Sequence, residues 1–252
     1  MSPSGTPLGM PSLPPPGEPT WKQAWDAALY GPRGFLRRHP PALDRDPAAL
    51  VALVAAEAPE AVVLLGSAGI LAPAVAAALP GADVRFDLPD AFDGVVLAVD
   101  WLCHVPAHVV AVDEAGYPRF VHVDPVSGRE RLGSRLNETS VPQSIGLWLT
   151  EWWPVAEGGP GARAEVGTGR DAAWRDVCRR LAGGTALAVE RGHTAAARPR
   201  GGSLRCPSAS PDRVPVPDGE RDLVADVALD AVAAATGGRV VLDGELTRVV
   251  SR

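Results

Sequence analysis

The sequence predicts an open α/β fold, in which helices flank a parallel sheet. A turn at Asp93 and Gly94 leads into the apolar run 95–99, which has the pattern of a buried strand. The apolar run 61–65, the glycine loop 66–69 and the small-residue helix 70–79 form a strand–loop–helix unit typical of nucleotide-binding sheets. Ligands bind such sheets at the carboxyl ends of the strands, so residues 100–104 are the first candidate site.

Composition indicates one domain with a disordered N-terminal tail. The 252 residues are 46% hydrophobic, which is enough for a substantial core. Residues 1–19 contain seven prolines and little apolar content, so we predict a disordered tail there and a single domain over residues 20–252. The net charge is −6 and there is no long basic block, which argues against nucleic acid as a partner.

Cysteine usage and hydropathy favour a cytoplasmic protein. Cys103, Cys178 and Cys206 are odd in number and far apart, which argues against a disulfide framework and a cysteine-rich zinc site. No apolar run reaches the roughly 18 residues of a membrane helix, and residues 1–20 lack the pattern of a signal peptide. We therefore expect no membrane partner and a reducing compartment.

The remaining elements follow from periodicity and from the residues that begin and end helices. In the first half, Thr20 caps helix 21–29, Asp46 and Pro47 begin a helix that continues over 48–58, and a strand is predicted at 83–87. In the second half we predict a β-hairpin (109–112 and 119–123), a helix bearing tryptophans (146–154), helix 170–181 ended by Gly183–Gly184, strand 185–189, helix 222–235 capped by Asp222, and strand 239–242. The loop 195–217 is either mobile or a lid.

Polar residues follow three of these strands, at 66–69, 100–104 and 190–194. If the strands are neighbours in one parallel sheet, the three clusters meet in a single crevice. Asp100 would there accept hydrogen bonds from ribose hydroxyls or from the ammonium of a nucleoside's amino-acid arm, or it is a solvated turn acid. His193 is either a general base or, as we favour, a hydrogen-bonded loop residue. We predict no metal site, because Pro106 prevents His104 and His108 from sharing a helix face.

Several segments together resemble one family, the MidA family of S-adenosylmethionine-dependent methyltransferases, in its bacterial high-GC branch. The resemblance is carried by residues 28–35, 94–106, 164–174, 188–194 and 216–219. It implies a Rossmann-like methyltransferase sheet flanked by helices, with the hairpin as an insertion, and S-adenosyl-L-methionine as cofactor. A mitochondrial member is known as a protein-arginine methyltransferase, so the resemblance implies transfer to a protein, in particular to arginine.

The resemblance also implies roles for individual residues. The residues implied to bind the cofactor are Gly66, Ser67, Gly69, Asp100 and Trp101. The residues implied to take part in catalysis are Asp100, Glu190 and His193.

The family motifs are altered at their polar positions. Asp100 stands where the family has Glu, Cys103 where it has a second acid, and Glu190 with Arg191 where it has Asp-Tyr. A homologue that has lost catalysis and acts as a binding or scaffold protein is therefore the alternative function. A small-molecule methyl acceptor is a third possibility.

Overall fold

The structure of the protein is a computed structural model that describes residues 17–136, 142–208, 214–243 and 246–252. The tail predicted for residues 1–19 lies outside the described residues except for its last three. The helices are α1 (Trp21–Tyr30), α2 (Phe35–Arg38), α3 (Pro47–Ala55), α4 (Ala72–Ala78), α5 (Gln143–Trp152), α6 (Thr168–Arg179) and α7 (Leu229–Ala234). The strands are β1 (Ala61–Gly66), β2 (Asp83–Arg85), β3 (Phe92–Val99), β4 (His108–Val112), β5 (Pro118–Val123), β6 (Glu130–Arg135), β7 (Arg163–Val166), β8 (Leu181–Val189), β9 (Gly192–His193), β10 (Val227–Ala228), β11 (Arg239–Val241) and β12 (Arg248–Ser251).

A six-stranded sheet in the order β11-β12-β8-β3-β1-β2 forms the centre of the fold. The pairs β2–β1, β1–β3 and β3–β8 are parallel, whereas β12 runs antiparallel to both β8 and β11. Since β1, β3 and β8 are adjacent and parallel, the polar residues that follow them lie at one edge of the sheet. The three strands are thus neighbours in one parallel sheet, which is the condition under which the sequence analysis expects their polar clusters to meet.

Helices cover both faces of this sheet, because its central strands are apolar on both sides. On one face, Trp174 of α6 and Val232 of α7 pack against Val96 of β3. On the other, Leu50 of α3 and Val75 of α4 join the core around β1. The fold is therefore α/β, with a central, mostly parallel sheet flanked by helices, as predicted.

A second, antiparallel sheet has the order β6-β5-β4-β7. The predicted hairpin is its β4–β5 pair, so that prediction is confirmed, and two strands that were not predicted, β6 and β7, extend the hairpin on either side. Helix α1 packs on this sheet through Trp21 and Trp25, and Thr20 caps it as predicted. The indole N–H of Trp25 also donates to the Leu223 carbonyl at 3.1 Å, which fixes the chain after the long loop.

The helix end predicted at Gly183 and Gly184 and the helix cap predicted at Asp222 are both wrong. Gly183 and Gly184 do not end α6, which stops at Arg179; they lie inside β8. Gly184 has φ +98°, and a Cβ there would meet the Gly94 backbone. A glycine at this position therefore allows β8 to approach β3 closely. Asp222 does not cap α7, which begins only at Leu229. The apolar residues after Asp222 are buried in extended chain, which gives the same local pattern as the start of a helix.

Within the described parts of the long loop, 195–208 and 214–217, residues 201–205 are attached to the body of the protein. Bridges join Gly201 to Arg163 and Arg205 to Val224. The carboxylate of Glu165 accepts hydrogen bonds from the backbone N–H of Ser203 at 3.0 Å and of Leu204 at 3.4 Å. Residues 209–213, the remainder of the loop expected to be either mobile or a lid, lie outside the described residues. In the described ranges, no helix has the length and apolarity needed to cross a membrane.

Candidate functional site

A crevice opens where the chain changes direction across the sheet. From β1 the chain goes to β2 on one side and then returns to β3 on the other, so β1 and β3 flank a topological switch point. Ligands of open α/β sheets bind outside the carboxyl ends of the strands at such a point. Gly66, at the end of β1, has φ +64°, and a Cβ there would lie 2.6 Å from the Val99 carbonyl oxygen and 2.8 Å from the Trp101 Cβ. Only glycine therefore lets the two strand ends approach this closely.

The rest of the glycine loop continues into a 3₁₀ turn, Ser67–Leu71, so the helix predicted from residue 70 begins only at Ala72. Ser67 is buried, and its hydroxyl donates to the Ala42 carbonyl at 3.0 Å. Gly69 is more open, because a Cβ there would meet only the Phe86 ring, at an ordinary 3.8 Å. Gly69 thus has room for a ligand beside it, whereas Ser67 is occupied by a contact within the protein.

Asp100 lies on the other side of the switch point. It takes a left-handed conformation, with φ 44°, which is uncommon for a residue other than glycine. Its carboxylate pairs with the Arg45 guanidinium, with 2.8 Å from Nη2 to Oδ1 and 3.4 Å from Nε to Oδ2. The Asp100 carboxylate thus stands at the crevice on a strained backbone, and it already forms an ion pair with Arg45.

Glu190 holds the turn that follows β3. Its carboxylate is buried and accepts backbone N–H groups of Trp101 at 2.8 Å, Leu102 at 2.6 Å and Cys103 at 3.2 Å. Burial raises the pKa of Glu190 to about 7; the hydrogen bond from Leu102 opposes this, and the Asp100 charge adds to it. Because both carboxylate oxygens face these N–H groups, Glu190 positions the Asp100 turn.

His104 and Asp222 form the next layer of the site. His104 Nδ1 lies 2.7 Å from the Asp100 carbonyl oxygen, and Nε2 lies 3.0 Å from Oδ1 of Asp222. Both ring nitrogens therefore face acceptors, which favours the imidazolium form with two N–H donors. Burial lowers the pKa of His104, but the hydrogen bond and charge of Asp222 outweigh it, so the net direction is upward.

Two cavities lie at this edge of the sheet. One has a volume of about 540 Å³ and is lined by Asp100, Cys103, His104 and Asp222, among others. The other, about 730 Å³, borders on Arg45, Glu190, Arg191 and Thr247, among others. Arg191 and Arg205 line both cavities, so their side chains form part of the wall between them.

Asp100, Cys103 and Glu190 also form a group that could hold a metal ion, with ligand atoms all within 4.8 Å of one another. Burial, together with the charges of Glu190 and Asp100, raises the pKa of the Cys103 thiol well above its ordinary value, so the thiolate is disfavoured. Glu190 is already bound by N–H donors and Asp100 by a guanidinium. The group fits a hydrogen-bonded turn better than a metal site.

His193 lies apart from Asp100 and Glu190. Its Nδ1 is 2.7 Å from Arg198 Nη1, and its ring packs edge-on against Trp153 with centroids 4.7 Å apart. Burial, and then the Arg198 charge, lowers the pKa of His193 to about 4, so the ring is neutral. His193 lines neither of the two cavities described above. The structure thus brings Gly66, Asp100, Trp101 and Glu190 together and places His193 in a separate hydrogen-bonded position.

Sequence reasoning missed two residues of the site. Arg45 lies in a stretch without periodicity, and its only local signal is its nearness to the cap Asp46. Asp222 is 118 positions from His104, the partner that gives it a role. Neither contact has a local signature, because each depends on the tertiary fold.

Fold and site together define a Rossmann-like α/β protein with a glycine turn and a carboxylate at the switch point. Solved structures with a similar fold include two from Burkholderia thailandensis. An uncharacterized ACR, COG1565 superfamily protein has a TM-score of 0.68 and 22% identity, over 88% of this chain and 72% of that one. A COG1565 superfamily member and "likely methyl transferase" bound to S-adenosyl-homocysteine has a TM-score of 0.65 and 20% identity, over 88% and 73%. These likenesses support the fold.

No protein-family model matches the chain, and no curated protein matches it.

Proposed function

We propose that the protein is an S-adenosylmethionine-dependent methyltransferase that binds its cofactor over the carboxyl ends of β1 and β3. The observation that carries the proposal is the Asp100 carboxylate, which stands at the carboxyl end of β3 beside the switch point and lines the 540 Å³ cavity. Two further observations support it: the resemblance of segments 94–106 and 188–194 to the MidA family, and a similar fold that was crystallised with S-adenosyl-homocysteine.

The residues of the crevice fit this cofactor. Asp100 already binds a guanidinium, so its carboxylate can accept N–H donors from the cofactor's ammonium or O–H donors from its ribose. Gly69 leaves room beside the loop, and the Trp101 side chain stands next to Gly66 at the strand ends. When bound, the cofactor supplies an electrophilic methyl group on a sulfonium. The protein then has to align the acceptor and exclude water.

The predicted catalytic residues receive different roles in this proposal. Asp100 touches the cofactor or the acceptor. Glu190 is a positioning residue that fixes the 101–103 turn through three N–H groups. His193 is the least supported of the three, since its ring faces Trp153 and Arg198.

The acceptor is a finer part of the proposal. The 540 Å³ cavity beside Asp100 is lined by the carboxylates of Asp44, Asp100 and Asp222 and also by the cationic side chains of Arg191 and Arg205, so its charges do not select the acceptor. Family resemblance favours a protein arginine, and a small molecule is the alternative. His104 is not the base for the acceptor proton, because Asp222 stabilises its protonated form.

A non-catalytic binding protein is the second candidate, and one observation favours it. Ser67 and Asp100, two of the predicted cofactor ligands, are both occupied by contacts to residues 42–45. If those contacts are permanent, the crevice is filled and the fold serves another purpose.

The test is calorimetric titration with S-adenosyl-homocysteine of the wild type, Gly69→Leu and a matched control, Gly201→Leu. Both glycines have φ outside the left-handed region and no close neighbour at the Cβ position, so both variants should fold. We expect the wild type and Gly201→Leu to bind, and Gly69→Leu to bind at least about tenfold more weakly, because the new side chain takes up the open space beside the glycine loop that this proposal gives to the ligand.

Absence of heat from the wild type at millimolar ligand would refute cofactor binding, and equal binding by Gly69→Leu would place the ligand elsewhere. Labelled S-adenosylmethionine, offered with protein and small-molecule fractions separately, distinguishes the acceptor classes. Binding without transfer to either would favour the binding protein.

A further inference from the structure

A short segment between α2 and α3 crosses the ends of all three central strands. We call residues 42–45 the strap. The Ala42 carbonyl accepts from Ser67 after β1, the Arg45 guanidinium pairs with Asp100 after β3, and Asp44 pairs with Arg191 after β8. The strap is thus attached to each of the three polar clusters that form the crevice.

Arg45 is the central attachment. Only 10% of its side chain and 12% of the Asp100 side chain are exposed, so this is a largely buried ion pair. Burial acts to lower the pKa of Arg45, but the hydrogen bond and charge of Asp100 outweigh it and give a net upward direction. The Arg45 guanidinium therefore stays charged and is paired with Asp100, the carboxylate that binds the cofactor in the proposed function.

Like the Arg45 guanidinium, S-adenosylmethionine carries positive charge, on its α-ammonium and on its sulfonium. S-adenosyl-homocysteine lacks the sulfonium but keeps the α-ammonium. We propose that the strap is a lid on the crevice, and that Arg45 competes with the cationic end of the cofactor for Asp100. This inference rests on the proposed function. Binding then exchanges one cation for another on Asp100, so no buried charge is left without a partner, which would be costly.

The backbone of the segment allows such an exchange. Residues 39–46 contain no helix or strand. The segment is anchored at its two ends, where the His39 N–H donates to the Phe35 carbonyl and Asp46 caps α3. Opening breaks the Arg45–Asp100 and Asp44–Arg191 pairs and the Ser67–Ala42 hydrogen bond and separates Leu43 from the core around β1, but it disrupts no helix or strand. A lid held mainly by side-chain contacts opens at lower cost than a regular element.

The experiment is a titration of S-adenosyl-homocysteine into three proteins: the wild type, Arg45→Met and the control Arg37→Met. Arg37 is an exposed arginine on α2, so its replacement makes the same chemical change away from the crevice. We expect Arg45→Met to bind about tenfold more tightly than the wild type, because the ligand no longer has to displace the guanidinium. Arg37→Met should bind as the wild type does. In an Asp100→Asn background, Arg45→Met should give no gain.

Unchanged or weaker binding by Arg45→Met would overturn the lid; weaker binding would mean that Arg45 contacts the ligand. Those results leave cofactor binding by the wild type intact, whereas the absence of binding in every protein, including Arg45→Met, refutes the proposed function itself. Hydrogen exchange of the wild type gives a second readout that needs no variant. Amides of residues 39–46 should exchange faster with saturating ligand, and slower or unchanged exchange would contradict the competition.

Discussion

Replacing Glu190 with glutamine should remove a pH dependence of stability that the wild type shows between about pH 4.5 and 7. Burial raises the pKa of Glu190 from the ordinary 4.5 to about 7. The folded protein therefore holds this proton over a range in which the unfolded chain has lost it. Since the folded state binds more protons there, the free energy of unfolding falls as the pH rises through the window.

The size of the effect follows from the pKa difference. Each unit of pKa difference corresponds to roughly 1.4 kcal/mol, so the ionisation of Glu190 costs the folded state about 3 kcal/mol across the window. The glutamine amide does not ionise in this pH range, so the variant lacks this pH-dependent cost. It keeps one oxygen for the N–H groups of Trp101 and Leu102, but its amide group meets the Cys103 N–H, which costs about 1–3 kcal/mol at every pH.

The assay is urea unfolding of the wild type, Glu190→Gln and a control, Glu151→Gln, at several pH values from 4.5 to 8. Glu151 is exposed on α5, so its variant should follow the wild type. The stability of Glu190→Gln relative to the wild type should improve by about 3 kcal/mol as the pH rises. A difference that does not change with pH would refute the raised pKa. A difference that grows against glutamine as the pH rises would show that the three N–H groups outweigh burial.

Two further predictions concern the same turn. In Asp222→Asn, the pKa of His104 measured by NMR titration should fall, because the ring loses the carboxylate that stabilises its charge. In the wild type, the protonated His104 ring stabilises the folded protein at pH values below 6.5, the ordinary pKa of histidine, and this stabilisation is lost as the pH rises through the raised pKa of His104. An unchanged pKa of His104 in Asp222→Asn would contradict the role given to Asp222. Gly66→Ala should lower the free energy of unfolding by about 1–3 kcal/mol, because residue 66 has φ +64° and a Cβ there would meet the Val99 carbonyl oxygen. A urea midpoint equal to that of the wild type would contradict the close approach of the two strand ends.

The sequence predicted the parts of the fold that local pattern decides. Residues 95–99 are apolar without interruption because β3 is buried between β1 and β8, and that run alone placed the polar residues 100–104 at a strand end. Thr20 and Asp46 cap their helices through bonds that span only two or three residues, so they too were predicted correctly.

Long-range contacts decide the rest. Asp222 has the local pattern of a helix cap, but its partner is His104 in another part of the chain. Gly183 and Gly184 have the pattern of a helix end, but the close backbone of β3 requires them inside a strand. The role of Arg45 depends on the strap lying over Asp100, which no periodicity in residues 39–46 indicates.

A crystal structure of the protein with S-adenosyl-homocysteine tests most directly whether the crevice between β1 and β3 is the cofactor site. We expect the adenosyl ligand beside Gly69, with its ammonium on the Asp100 carboxylate and the Arg45 guanidinium displaced from that carboxylate. A ligand bound elsewhere, or an empty crevice with the Arg45–Asp100 pair intact at saturating ligand, would contradict it.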